Sequence, residues 1–297
     1  MKCSHAHDVN KPAARAAAAD AVGAPSADMD WAGSVAVLPH SEGAHSNACC
    51  EAEAQRAAPE VPALLAMGWD SGECPIEKAE VMRYLGHAGQ TLDSALEQRI
   101  DEGIAHCRKV SRPAWAFRIM RIDCDNNNDG MLQLAGTPLV LEGSAIRSHL
   151  DGARYCAVML ATCGLSNERE LQRLAARGDL DALVFDAASS ALTESAADAC
   201  NARIVAWARE QGLFCNWRFG PGYGDLPLAL QPYIVHMLEA DKRMGVSTTP
   251  SHLLVPTKSV TGLIGLFDEP REDRRTCAGC SLAVHCTLRE RGLTCYR

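Results

Sequence analysis

Arg218-Phe219-Gly220-Pro221-Gly222-Tyr223-Gly224-Asp225 is the stretch of this chain on which its reading turns. Its glycines bracket one proline, so the backbone is bare on one side, stiffened in the middle and able to take positive φ. Such a loop can approach a ligand closely. Arg218 at its entrance carries a permanent charge on a planar fork that can hold a carboxylate with two hydrogen bonds, and Tyr223 offers a ring face and a hydroxyl. Together they suit a zwitterionic amino-acid ligand that bears an aromatic base. The same residues also suit a tight turn between a strand and the helix that Leu226-Pro227-Leu228 introduces, since Gly-Pro-Gly is common in turns.

Downstream of the loop, Pro227-Leu228-Ala229-Leu230-Gln231 opens a helix that runs to about Met244. Gly245-Val246-Ser247-Thr248-Thr249 follows, and then Val255-Pro256-Thr257-Lys258-Ser259-Val260-Thr261-Gly262. Upstream, Pro75-Ile76-Glu77-Lys78 opens a short helix that Gly86 closes, and Leu92, Leu96, Ile100, Ile104 and Cys107 recur at helical steps over Thr91 to Val110 with Thr91 as the cap. Trp115 to Ile122 and Met131 to Leu141 read as a β-hairpin around the polar turn Asp123 to Gly130. That turn matches the front of an EF-hand loop, but its twelfth position is Gly136 where a bidentate Glu is needed, so turn chemistry is the better reading.

Ser144 is expected to cap a long helix through Ile146, Leu150, Ala153, Ala157 and Leu160, ended by Gly164 before another helix over Ser166 to Ala176. Leu183-Val184-Phe185 reads as a short buried run ending in Asp186, and Ser189-Ser190 leads into a helix that passes Ile204 and Trp207 to reach Gly212. Residues 1–72, rich in Ala, Ser, Gly and Glu, show no sustained period and are expected to be a disordered tail. Residues 73–270 form the expected folded domain, and residues 271–297 a cysteine-rich tail.

The ordered set Arg-x-x-Pro-Gly-Tyr-Gly-Asp, Pro-Leu-x-x-Gln and Pro-x-Lys-Ser-Val-Thr-Gly resembles the activation domain of vitamin B12-dependent methionine synthase, here in a free-standing form. The resemblance covers residues 75 to 268 and is weaker over Leu141 to Leu150 and Asp186 to Glu194. It implies an α+β fold, a twisted antiparallel β-sheet with helices packed around it. It also implies that Arg218 holds the carboxylate of S-adenosylmethionine, that Gly220 and Gly222 give backbone contact and clearance, and that Tyr223 lines the adenosine or sulfonium side. Glu194 and Asp186 are further polar contacts on the same reading. The family carries an aromatic pair where Leu263-Ile264 follows Gly262 here, and the aspartate of its N-terminal arm has no counterpart within residues 1 to 74.

By the same resemblance the chain is an accessory component that supports reductive methylation of cob(II)alamin, with the cobalamin carried by a partner methionine synthase or another corrinoid methyltransferase and an electron donor alongside. A complete synthase needs two barrels and a cobalamin module, which about 200 ordered residues cannot hold. The Asp-x-His-x-x-Gly sequence that supplies an axial histidine is also missing, and His149 stands in a different context.

Fourteen cysteines accompany a formal charge of −8. The acidic balance argues against nucleic acid as a partner, and the lack of a roughly 20-residue apolar run argues against a membrane span, so the expected location is the cytoplasm. Cys277-x-x-Cys280, Cys286 and Cys295 fall within the last twenty-one residues. Four thiolates at these spacings can bind Zn or a [4Fe-4S] cluster, and His285 could replace one of them. A metal-binding interaction protein that has kept the fold without the ligand is the alternative reading.

Overall fold

The computed structural model describes residues 64–72, 74–123, 132–271 and 285–290. Its centre is strand β5 (Tyr155–Thr162), in which all eight residues are buried. β5 pairs antiparallel with β2 (Ala114–Asp123) on one side and with β9 (Ser259–Phe267) on the other. Beyond β2 come β3 (Leu132–Leu134) and β4 (Val140–Leu141), while β6 (Phe214–Cys215) extends the sheet past β9. β1 (Leu64–Asp70) pairs with β2 from Leu64 opposite Met120 to Asp70 opposite Trp115, which completes seven strands. All of these pairings are antiparallel, and β7 (Ser247–Thr248) and β8 (Leu254–Val255) pair apart from this sheet as a two-stranded ribbon.

Helices cover both faces of the sheet. On one face lies α5 (Leu180–Glu210), supported by α1 (Lys78–Tyr84), α2 (Ser94–Val110) and α4 (Leu165–Ala175). Its core takes Tyr155, Ala157, Met159 and Ala161 from β5 and meets them with Val184, Phe185, Ala188, Leu192 and Ala196 of α5. The run of alanines lets this long helix sit close on the sheet. On the other face α3 (Ser144–Leu150), α6 (Gln231–Met237) and α7 (Ala240–Met244) cover Cys156, Val158 and Leu160. Among the described residues no helix is long and apolar enough to cross a membrane.

Several sequence expectations change. The helix expected from Ser144 to Gly164 is α3 followed by β5: a strand buried on both faces reads as a continuous apolar run, and its periodicity does not separate it from a buried helix. Ser144 does not cap α3; Gly143 holds the cap position and the Asp225 carboxylate takes the free amides. The buried run at Leu183 to Phe185 and the helix after Ser190 are one element, α5, whose start is capped by Asp179 accepting from Ala182 N at 3.1 Å. α2 starts at Asp93, which accepts from Leu96 N at 2.7 Å, and not at Thr91.

Order also begins earlier than expected, because β1 lies inside the stretch read as a tail and is held by its ladder to β2. Residues 1–63 and most of the polar turn at 124–131 lie outside the described residues.

Candidate functional site

β6 ends at Cys215, and the chain then follows β9 irregularly. The Asn216 side chain stands in for backbone there, its Oδ1 accepting from Gly265 N at 2.7 Å while Asn216 N donates to Gly265 O at 3.2 Å. Phe219 rejoins the strand through a pair of bonds with Leu263, of 2.9 and 2.7 Å. Trp217 and Arg218 are thereby carried on a short excursion beside β9.

Arg218 points to the α5 face. Its stem crosses Gly262, where a Cβ would stand 3.3 Å from Arg218 Cβ and 3.6 Å from Met159 Cγ. A methyl group there would press the Arg218 stem aside by a few tenths of an ångström. At its far end Arg218 Nη2 meets Glu194 Oε2 at 3.1 Å and Asp198 Oδ1 at 3.0 Å, two carboxylates one turn apart on α5. The Arg218 side chain is 15% exposed, against 47% and 59% for the two acids. Ion pairs with such exposed partners contribute about 1 kcal/mol or less, so they aim the guanidinium more than they stabilise the fold.

Nη1 of Arg218 is buried and meets no hydrogen-bond partner among the described residues. Leaving a buried donor unmade costs about 1–3 kcal/mol, more than those pairs return. The arrangement suits an arriving acceptor.

The loop that follows is fixed at its far end. Asp225 Oδ2 accepts from Ser144 N at 2.6 Å and Ser144 Oγ at 2.7 Å, and Oδ1 accepts from Ala145 N at 3.0 Å. These bonds, the Ser144 hydroxyl first, hold the Asp225 carboxyl below its ordinary range. Gly220 is buried, its Cα facing Thr261 O, so its missing side chain serves the seat of the loop on β9. Gly222 is exposed with φ of 92°, a conformation that favours glycine. Tyr223 is 61% exposed, its ring 6.4 Å from that of Phe219.

The structure brings Arg218 to Glu194, and Gly220, Gly222 and Tyr223 lie in the loop that follows, with Tyr223 against Phe219. Asp186 belongs elsewhere on α5: its Oδ1 pairs with Lys258 Nζ at 2.9 Å, and Lys258 also donates to Ser190 Oγ at 2.8 Å. Sequence reading missed Asp198, although it follows Glu194 by four residues on the same helix face. It also missed Tyr84, whose phenol is pushed up by burial and then by the nearby Glu194 charge. Of the expected metal ligands, Cys277, Cys280 and Cys295 lie outside the described residues, and Cys286 is half-buried before the four-residue helix α8 (Thr287–Glu290).

An antiparallel sheet with one long helix on one face and a glycine loop hung on its edge strand is a specific architecture, and it has a solved counterpart. The fold resembles that of the MetH reactivation domain. The crystal structure of that domain bound to AdoHcy matches with a TM-score of 0.53 and 16% sequence identity, covering 78% of this chain and 89% of the reactivation domain chain. No protein-family model matches, and no curated protein matches. The α+β expectation, an antiparallel sheet with helices around it, therefore holds, and the reactivation domain shares it.

Proposed function

We propose that this chain binds S-adenosylmethionine beside Arg218 and serves as a reactivation component in the reductive methylation of cob(II)alamin on a partner cobalamin-dependent methionine synthase. The observation that carries the reading is the Nη1 of Arg218, buried and without a partner among the described residues, held in place by Gly262 beside its stem and by Glu194 and Asp198 beyond it. The fold shared with a reactivation domain solved with AdoHcy supports the same ligand class.

The residues fit such a ligand by charge. The α-carboxylate would take the Nη1–H, and the α-ammonium would find Glu194 within reach of the same guanidinium. Tyr223, exposed in the loop that follows Arg218, would line the adenosine or sulfonium side. Bound S-adenosylmethionine supplies a methyl group on a cationic sulfur, and the electron comes from an external donor. What this chain contributes is binding and orientation, with no side chain required as nucleophile or base. The metal expected from Cys277, Cys280, Cys286 and Cys295 is supported by spacing alone and enters no step of this reading.

Calorimetric titration with S-adenosylmethionine tests the ligand, and no measurable affinity would leave the interaction-protein reading. The partner is tested by asking whether the chain, with reductant and S-adenosylmethionine, restores methylcobalamin on an oxidised cobalamin-bearing synthase. Success only with another corrinoid protein would reassign the partner and keep the chemistry.

A further inference from the structure

A pocket of about 340 Å³ opens on the Asp198 side of Arg218. α5 contributes Asp198, Asn201 and Val205 to it, the segment from Cys215 to Arg218 forms the facing wall, and Arg271 closes the far end. Its volume is within the range of small-molecule sites. Its walls are already in place. Trp217 is pinned by His149, with ring centroids 4.6 Å apart and edge to face, and by Phe219 at 5.5 Å. Asn216 is held by its bonds to Gly265 N and His149 O.

Asn201 differs from these wall residues: it is half-buried, and its amide engages no partner among the described residues. A side-chain amide of this kind presents one donor and one acceptor side by side, which matches the amino edge of adenine. The indole offers a π-face for a base, and the Asp198 carboxylate at the entrance can accept vicinal ribose hydroxyls. These properties suit an adenine nucleoside.

We propose that this pocket takes the adenosine half of the ligand, with Trp217 stacking on the base, Asn201 reading its amino edge and Asp198 accepting the ribose hydroxyls. The inference rests on the preceding reading that the amino-acid half is held at Arg218. It assigns the base to the Trp217 side of the arginine and leaves Tyr223 to the other.

Calorimetry with S-adenosylmethionine, adenosine and inosine on the full chain tests it. Inosine replaces the amino group by a carbonyl. Wild type is expected to prefer adenosine to inosine by about 10-fold; Asn201→Ala abolishes that preference and weakens S-adenosylmethionine by about 10-fold, and Trp217→Leu by about 10- to 100-fold. Asn201 lies on the helix surface, so its variant keeps the test decisive should loss of Trp217 disturb the aromatic stack. Wild-type binding of S-adenosylmethionine that both variants retain unchanged overturns the inference and leaves Arg218 as the anchor. Adenosine binding without S-adenosylmethionine binding overturns the Arg218 reading and keeps the pocket. Binding of neither overturns both.

Discussion

α5 is tethered to the β9 side of the sheet by two cations, and they differ in one respect. Lys258 reaches Asp186 at 2.9 Å and Ser190 at 2.8 Å; Arg218, two turns along, reaches Glu194 and Asp198 at 3.1 and 3.0 Å. Both are mostly buried, with side chains 17% and 15% exposed. Lys258 spends its charge on two oxygens of its own helix neighbour, and nothing in its geometry asks for a ligand. Arg218 does the same with one nitrogen and keeps the other, buried, without a partner among the described residues. Similar pairs on one helix thus divide into a clasp and a candidate site. The division is visible only when each donor is accounted for separately.

The division can be broken by experiment. Arg218→Ala is expected to lower S-adenosylmethionine affinity by about 10- to 150-fold, the value of a charge-assisted hydrogen bond, with calorimetry as the readout. Gly262→Ala keeps the arginine but narrows its lane, since a Cβ there stands 3.3 Å from the Arg218 stem. A loss of about 10-fold is expected, with little change in melting temperature. Lys258→Ala should cost about 1 kcal/mol of stability in denaturant titration and leave affinity within about twofold. If Lys258→Ala weakened binding as much as Arg218→Ala, the two tethers would be one site and the comparison would fail.

A smaller effect concerns acid. Glu170, bonded first by Arg173 and then by His106 at 2.6 Å, is held down to about 2. A carboxylate depressed in the folded state adds stability that is present above its unfolded value of about 4.5 and is lost as pH falls toward 2. Glu170→Gln should therefore flatten the dependence of melting temperature on pH between about 4.5 and 2, with neutral-pH ligand affinity unaltered.

The sequence made some of this legible and hid the rest for physical reasons. The glycine loop and Arg218 stand out because their residue types are unusual together. β5 did not stand out, because covering on both faces removes the alternation that marks a strand. β1 was hidden in a stretch whose composition suggests a tail; its order comes from pairing with β2, a long-range effect that no local pattern carries. Asp198 was within reach of a four-residue step from Glu194 on the helix already expected after Ser190. Asp186 lies on the same stripe as Glu194 and Asp198, and only the position of Lys258 sends it to the clasp.

Asp225 leaves the loop in a double role. Its carboxylate satisfies the first amides of α3, a seven-residue helix with no side-chain cap of its own. The beginning of that helix is therefore a distant reporter: the backbone hydrogens of Ser144 and Ala145 can exchange with solvent only when the loop lets go of them. A molecule that steadies the loop should slow deuterium uptake at these two amides without touching them, so α3 would register occupancy near Arg218 from the opposite face of the sheet.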